Sequence, residues 1–262
     1  MKKKWEIAAR ELVNSRIQKI PIEALSSKYS LVTEVDGYEV QSLVNHLLSD
    51  TLGPVLGHKI GCTTPVMQSF LGISQPCAGE IFESKVYHRA ARVSRSDFVK
   101  LGVECEIVAS VGRDITPQTT QNDNFFVEDY VSGIMVGMEI VDDRYRDYAS
   151  LGIPTLIADN FFDWGCVLGD CASHWQTIHL DRITGRTRVN GRIAGEGSGA
   201  LIMGSPLNAL RWFVEMRARR GLGIKAGEFV MLGSVVETKW LSSGDEVEVE
   251  VDSLGCVTLV VD

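Results

Sequence analysis

Over the first fifty residues the apolar positions recur every three or four: Trp5, Ala9, Leu12 and Val13 share one face, and Val40, Leu43, Val44, Leu47 and Leu48 share another. That spacing predicts amphipathic helices. From about Gly53 the pattern changes to short β-branched runs broken by glycine, which predicts a sheet-dominated body. The chain is therefore expected to divide into a helical N-terminal segment, residues 1–52, and a β-rich domain, residues 53–262. Inside the body, Thr64-Pro65 opens a short helix that stops at Gly72, and Ser205-Pro206 opens a longer one through Leu210 and Phe213 to Gly221. Each has a hydroxyl at the N-cap, proline in the first turn and glycine at the end. Asn190-Gly191, between Thr187–Val189 and Arg192–Ala194, predicts a hairpin, because Asn-Gly accepts the positive φ values of a type I′ turn. A second hairpin joins Glu246–Val251 to Val257–Val261, and His174 and His179 fall in a strand around Trp175–Asp181.

Two Glu-x-Glu segments differ in a way that bears on chemistry. In Glu246–Asp252 the alternation is unbroken, so the acids face one side and the valines the other, as in a strand with one wet face. In Gly102–Val111, Glu104 and Glu106 share a face that continues as Val108 and Ser110. A face that turns apolar after two carboxylates is expected to be covered, although taken alone such a pair reads first as a solvated or ion-paired structural feature. Covered like charges need a cation or a proton between them. Glu139 is the only charge in Gly133–Val141, a second apolar stretch. Three carboxylates without a His/Cys set suit a hard divalent cation, Mg²⁺ or Mn²⁺. Lys59 lies in Gly57-His58-Lys59-Ile60-Gly61, where flanking glycines allow close approach of a ligand. Beside the acids its ammonium could polarise an oxyanion or carry a proton.

Composition narrows the partners. With 26 basic and 34 acidic residues the net charge is -8, which leaves no uniform basic field for nucleic acid. No apolar run reaches the roughly 18 to 20 residues of a membrane helix, and Glu6, Arg10 and Glu11 interrupt any signal-peptide core, so a cytoplasmic protein is expected. Six cysteines without a CxxC pair read as reduced, buried small hydrophobes rather than a zinc or disulfide framework. Gly195–Gly199 is glycine-rich but follows a hairpin, which makes a nucleotide-binding oxidoreductase a weak alternative. A non-catalytic binding protein that held a small ligand through the metal would need the acidic cluster without Lys59.

Taken jointly, GHKIGCTTPVMQSFLGI (57–73), GVECEIVASVGRDI (102–115), GMEIVDDRY (137–145), IADNFFDWGCVLG (157–169), GSPLNAL (204–210) and KAGEFVMLGSVVET (225–238) resemble the fumarylacetoacetate hydrolase superfamily, in its 2-hydroxypenta-2,4-dienoate hydratase and 4-oxalocrotonate decarboxylase branch. The resemblance implies an α+β fold with a mixed β-roll or barrel-like core behind the helical segment, a bound Mg²⁺ or Mn²⁺, and 2-oxo acid substrates from aromatic-compound catabolism. By position it makes Glu104, Glu106 and Glu139 metal ligands and Lys59 the active-site lysine. Gly233 and Ser234 would lie near the substrate carboxylate. Hydratases of the branch carry Pro-Asp-Phe-Gly after the lysine, whereas this chain has Pro76-Cys77-Ala78-Gly79 and then Glu80. The proton donor would then be Lys59, a water or Glu80.

A 2-keto-4-pentenoate hydratase-like enzyme is the first expectation. A carbon–carbon hydrolase of the maleylpyruvate or acylpyruvate type, and a decarboxylase, are the alternatives. Such hydrolases often use a His–Glu pair on the N-terminal side, where this chain offers only His46, read as structural. Arg144, after Asp142-Asp143, reads as an ion-pairing residue. The helical N-terminal zone is expected to serve a homo-oligomer.

Overall fold

In the computed structural model, which describes residues 2–262, the early periodicity becomes α1 (Lys2–Gln18), the single turn α2 (Ser26–Tyr29) and α3 (Glu34–Leu52). α1 buries Ala8, Ala9 and Leu12, and α3 buries Val40, Val44 and Leu48. Thr33 starts α3 through a capping box with Asp36: the Thr33 hydroxyl accepts from Asp36 N–H and the Asp36 carboxylate accepts from Thr33 N–H.

The body contains two sheets. The larger is built from β1 (Val55–Gly61), β2 (Cys77–Phe82), β3 (Val86–His88), β5 (Leu101–Val111), β6 (Val131–Asp142), β7 (Asp163–Leu168) and β10 (Phe229–Trp240), in the order β2-β1-β10-β5-β6-β7-β3. Its β1–β10 and β3–β7 pairs are parallel and the others antiparallel. β2 also packs against β7 without sharing a ladder, so the sheet curls into an open roll and no barrel closes. The smaller sheet runs β4 (Ala90–Val93), β12 (Gly255–Val261), β11 (Glu246–Val251), β8 (Thr184–Val189), β9 (Arg192–Ser198).

Both expected hairpins form. Asn190 and Gly191 hold φ of 52° and 75°, as a type I′ turn requires, and β11 alternates buried valines with wetter glutamates. The short helix is α4 (Pro65–Leu71), capped by Thr64 and ended by Gly72 in the left-handed region. Two helices remain: α5 (Ile153–Ala158), which the pattern did not predict, and α6 (Pro206–Arg219). Ser205 caps α6 with its backbone carbonyl, which accepts from Asn208 N–H at 2.9 Å, and not with its hydroxyl.

The strand expected at Trp175–Asp181 is absent. Trp175–Thr177 is a 3₁₀ turn, and the carbonyl of His179 accepts from Arg182 and Ile183 N–H. Local turns consume the hydrogen bonds a ladder would need, and both His174 and His179 are exposed. Cys77, Cys105 and Cys166 are buried as expected, but Cys171 and Cys256 are exposed; all six thiols are unpaired.

A buried ionic knot fastens α1 and α5 to the start of β7. Arg144, 3% exposed, holds the fully buried Asp159 with Nη2–Oδ2 at 2.7 Å and Nε–Oδ2 at 3.0 Å. Its expected neighbour Asp142 is only at 3.9 Å. Arg16 on α1 reaches Asp159 at 3.6 Å and Asp163 at 3.3 Å. Removing one side of a buried pair leaves an uncompensated charge. Arg144→Met is therefore expected to destabilise the protein by about 3–5 kcal/mol in urea denaturation; a loss below about 1 kcal/mol, the range of an exposed pair, would contradict this.

Candidate active site

Strand register brings the glutamates together. On the antiparallel β5–β6 pair Glu104 stands opposite Glu139, and Glu106 opposite Gly137. With a side-chain period of two, all three carboxylates leave the same face. Glu106 and Glu139 are each 1% exposed and Glu104 is half-buried. One oxygen from each lies within 4.8 Å of the others. The same face continues into a small apolar cluster of Ile81, Val108, Met135, Cys166, Leu168, Phe229 and Met231, which covers it as the broken alternation predicts.

Each carboxylate is held by one oxygen. Thr238 hydroxyl donates to Glu104 Oε1, Gly233 N–H donates to Glu106 Oε2 at 2.6 Å, and Lys59 Nζ lies 2.8 Å from Glu139 Oε1. Both oxygens of Glu139 are buried without a hydrogen-bond partner among the described residues, and Oε1 is held only by the ion pair with Lys59. Gly233 can present its amide because φ is 124° and no side chain is present; a Cβ there would sit 2.4 Å from Thr63 Oγ1. The β5–β10 register shifts on both sides of Ser234. Ser234 Oγ is spent on this irregularity, contacting the carbonyls of Cys105 at 3.2 Å and Val236 at 2.5 Å. Gly233 therefore reaches the cluster, while the Ser234 hydroxyl turns to the backbone.

Lys59 is 3% exposed on β1, and Nζ also donates to Phe161 O at 2.7 Å. His58, its neighbour, points to the opposite face, where Nε2 lies 3.1 Å from Glu228 Oε2. Burial opposes charge on Lys59, but the Glu139 and Glu104 carboxylates outweigh it and raise its pKa. Burial is also the main influence on the acids. With the neighbouring carboxylates it holds Glu106 well above its ordinary value, and it pushes Glu139 up to about 8 even though Lys59 pulls the other way. Three acids facing one ammonium thus favour proton retention on Glu106 and Glu139.

Cys77 lies in register with Gly61, on the Lys59 face of the β1–β2 pair. Burial pushes its thiol well above the ordinary range, so it stays neutral. Glu80 is in register with His58 and binds Asn45 Nδ2 at 2.9 Å and Arg217 Nη1 at 3.2 Å. It belongs to the other face and does not supply an acid to the site. His46 is exposed on α3. Sequence reasoning passed over Phe161 and Thr238, whose contributions are a carbonyl and a hydroxyl set by tertiary structure.

The fumarylacetoacetate hydrolase C-terminal model matches residues 81–262. The chain belongs to the fumarylacetoacetate hydrolase family. It is 30% identical over 254 residues to a 2-keto-4-pentenoate hydratase of Paraburkholderia xenovorans strain LB400, covering 96% of this chain and 93% of that one. It is 24% identical over 251 residues to a 4-oxalocrotonate decarboxylase of Pseudomonas putida, covering 95% and 94%. Its fold matches the solved structure of 4-oxalocrotonate decarboxylase from Pseudomonas putida G7, complexed with magnesium and adipate, with a TM-score of 0.91 at 21% identity over 100% and 98% of the two chains. Fumarylpyruvate hydrolase from Pseudomonas aeruginosa, in complex with Mn²⁺ and pyruvate, aligns with a TM-score of 0.62 at 18% identity over 78% and 88%. No helix among the described residues is long and apolar enough to cross a membrane.

The Glu139 shift has a testable sign. A carboxyl at about 8 in the fold against an ordinary 4.5 binds its proton more tightly when folded, so its contribution is full below pH 4.5 and is lost as pH rises to 8. Buried His58, whose pKa is lowered, pulls stability the other way over part of that window, so the readout is the difference between proteins: in chelator-treated samples the urea midpoint of wild type should fall relative to that of Glu139→Gln as pH rises from 4.5 to 8. An equal pH dependence in the two would contradict the buried acid cluster.

Proposed function

We propose that this chain is a divalent-metal-dependent lyase that adds water to a 2-hydroxy-2,4-dienoic acid, the enol form of a 2-oxo acid, in the manner named for its 2-keto-4-pentenoate hydratase relatives. The observation that carries the reading is the set of three buried or half-buried carboxylates, each tethered by one oxygen and standing beside a buried ammonium.

Glu104, Glu106 and Glu139 would hold Mg²⁺ or Mn²⁺. The fit rests on the all-oxygen donor set and on the orphaned, buried Glu139 Oε2, which is costly without a cation or proton. When bound, such an ion supplies Lewis-acid stabilisation of negative charge developing on the 2-oxo oxygen. The remaining work falls to the protein. Lys59 Nζ has three N–H donors; one goes to Phe161 O, and the ammonium forms a buried ion pair with Glu139 Oε1 at 2.8 Å, which leaves donor capacity for the substrate. Glu139 and Phe161 thereby fix the ammonium where it can hold a proton at Nζ and pass it to or from the substrate carbon skeleton. Gly233 keeps Glu106 oriented, and the buried apolar cluster that continues the same face keeps water from the sheet beside the carboxylates. The net change is balanced: the enol proton leaves oxygen, C5 gains a proton, and water adds OH to C4 and H to C3.

Hydrolysis of a carbon–carbon bond is supported less well. None of the five histidines accompanies the glutamates: His58 faces away, and His46, His88, His174 and His179 are exposed. Product masses separate the reactions. With 2-hydroxypenta-2,4-dienoate the product should gain one water without cleavage; loss of carbon dioxide from 4-oxalocrotonate, or pyruvate released from maleylpyruvate or an acylpyruvate, with no hydration, would replace the hydratase reading.

The residue roles are tested by two variants. Glu106→Gln should abolish turnover and weaken Mn²⁺ binding at least about tenfold, the lower end of losses seen around metal sites. Lys59→Met should lower kcat about 10²- to 10⁴-fold while Mn²⁺ binding persists. Unchanged kinetics at saturating metal in either variant would remove that residue from the mechanism.

A further inference from the structure

Asn160, Phe161 and Phe162 are three consecutive residues, none of them glycine, with φ of 57°, 49° and 69°. L-residues avoid this left-handed region, so a run of three persists only when its surroundings enforce it. Here the enforcement is visible. The Asn160 and Asn45 amides bond each other, Asn160 Oδ1 accepts from Glu80 N–H at 3.1 Å, and Phe162 O accepts from Asp142 N–H at 3.0 Å.

The turn aims an aromatic row at the site. The Phe161 ring lies 5.6 Å from Lys59 Nζ and packs so closely on Gly61 that a Cβ there would meet it at 2.8 Å. Phe161 then packs edge-on against Phe162 at 5.5 Å and Phe162 edge-on against Tyr148 at 5.4 Å, and Tyr148 meets Phe70 in a tilted contact at 6.0 Å. The row ends on α4, which buries no residue and exposes Val66 and Phe70 at 76% and 57%. The stretch from Ile60 to Gly79, which carries α4, contains no charged residue.

The buried cation beside this row is already engaged, and the two exposed ones are paired only at the surface, where such pairs are weak. Arg144 is committed to Asp159, Arg146 to Glu23 at 3.2 Å and Lys100 to Asp143 at 3.3 Å. Asp143 and Asp147 lie near the Tyr148 phenol and, after burial, contribute to raising its pKa, so the potential around the outer end is negative.

We infer that Phe161, Phe162, Tyr148 and Phe70 form the wall for the distal end of the substrate, and that this wall selects a hydrocarbon tail over a second carboxylate. The inference rests on the 2-oxo acid reading and narrows it to monocarboxylates with an apolar substituent. Apolar rings gain by excluding water against a hydrocarbon, whereas a carboxylate placed there loses its hydration without a partner.

The test uses two unreactive ligands that differ only at C6, 2-oxohexanoate with a methyl group and 2-oxoadipate with a carboxylate, titrated calorimetrically into the Mn²⁺-loaded full chain. 2-Oxohexanoate should bind at least tenfold more tightly. Phe162→Ala should reduce that preference at least threefold, and Phe70→Ala, at an exposed position that leaves folding undisturbed, should reduce it in the same direction. Equal or tighter binding of 2-oxoadipate, or a preference unmoved by both variants, overturns the aromatic wall and leaves the 2-oxo acid site standing. Failure of both ligands to bind defeats the 2-oxo acid reading and this inference together.

Discussion

Three carboxylates and one ammonium share a covered face of a β-sheet, and most of the local structure follows from how that imbalance is tolerated. With all four groups charged, the cluster would carry a net charge of minus two under apolar cover, a state that burial penalises heavily. The protein meets it by raising proton affinity on Glu106 and Glu139 and by aiming a hydroxyl, an amide and an ammonium at one oxygen of each acid. A divalent cation is the remaining remedy, and the untethered oxygens point the chemistry toward one. The irregular pairing around Ser234, the positive φ of Gly233 and the glycine opposite Glu106 on β6 are the backbone adjustments that let such a cluster form within a regular ladder.

The supports of the site come from distant parts of the chain. Arg16 on α1 and Arg144 after β6 clasp Asp159 and Asp163, which flank the left-handed turn that carries Phe161. The helical segment thus bears on the lysine indirectly: it holds the loop whose carbonyl receives Nζ. This coupling accounts for why a segment without catalytic side chains is packed through buried charges and not through apolar contacts alone.

Legibility in the sequence followed the range of the signal. Glu104 and Glu106 could be read because alternation breaks into apolar residues immediately after them, and Glu139 because it is the only charge in the apolar stretch Gly133–Val141. Capped helices and the Asn-Gly hairpin were legible for the same reason: their determinants lie within a few residues of each other. What depended on tertiary placement was not. Thr238 orients Glu104 from another strand, Phe161 contributes a backbone carbonyl, and Asp159, the main partner of Arg144, is fifteen residues away. The segment around His179 has strand-like composition, yet local turn hydrogen bonds claim it. Glu80, considered from its proximity in sequence to the lysine, proved to lie on the opposite face because strand period two separates it from Gly79.

The central claim is that Glu104, Glu106 and Glu139 jointly bind one divalent ion. Its most direct test is an anomalous difference map from a crystal soaked in Mn²⁺, recorded near the manganese absorption edge. The account predicts a single strong peak bonded to one or more oxygens of each of the three carboxylates, at distances between the roughly 2.0–2.1 Å of Mg²⁺ and the roughly 2.3–2.6 Å of Ca²⁺ on oxygen. A well-ordered cluster with no peak, or a peak that omits any of the three acids, would contradict it.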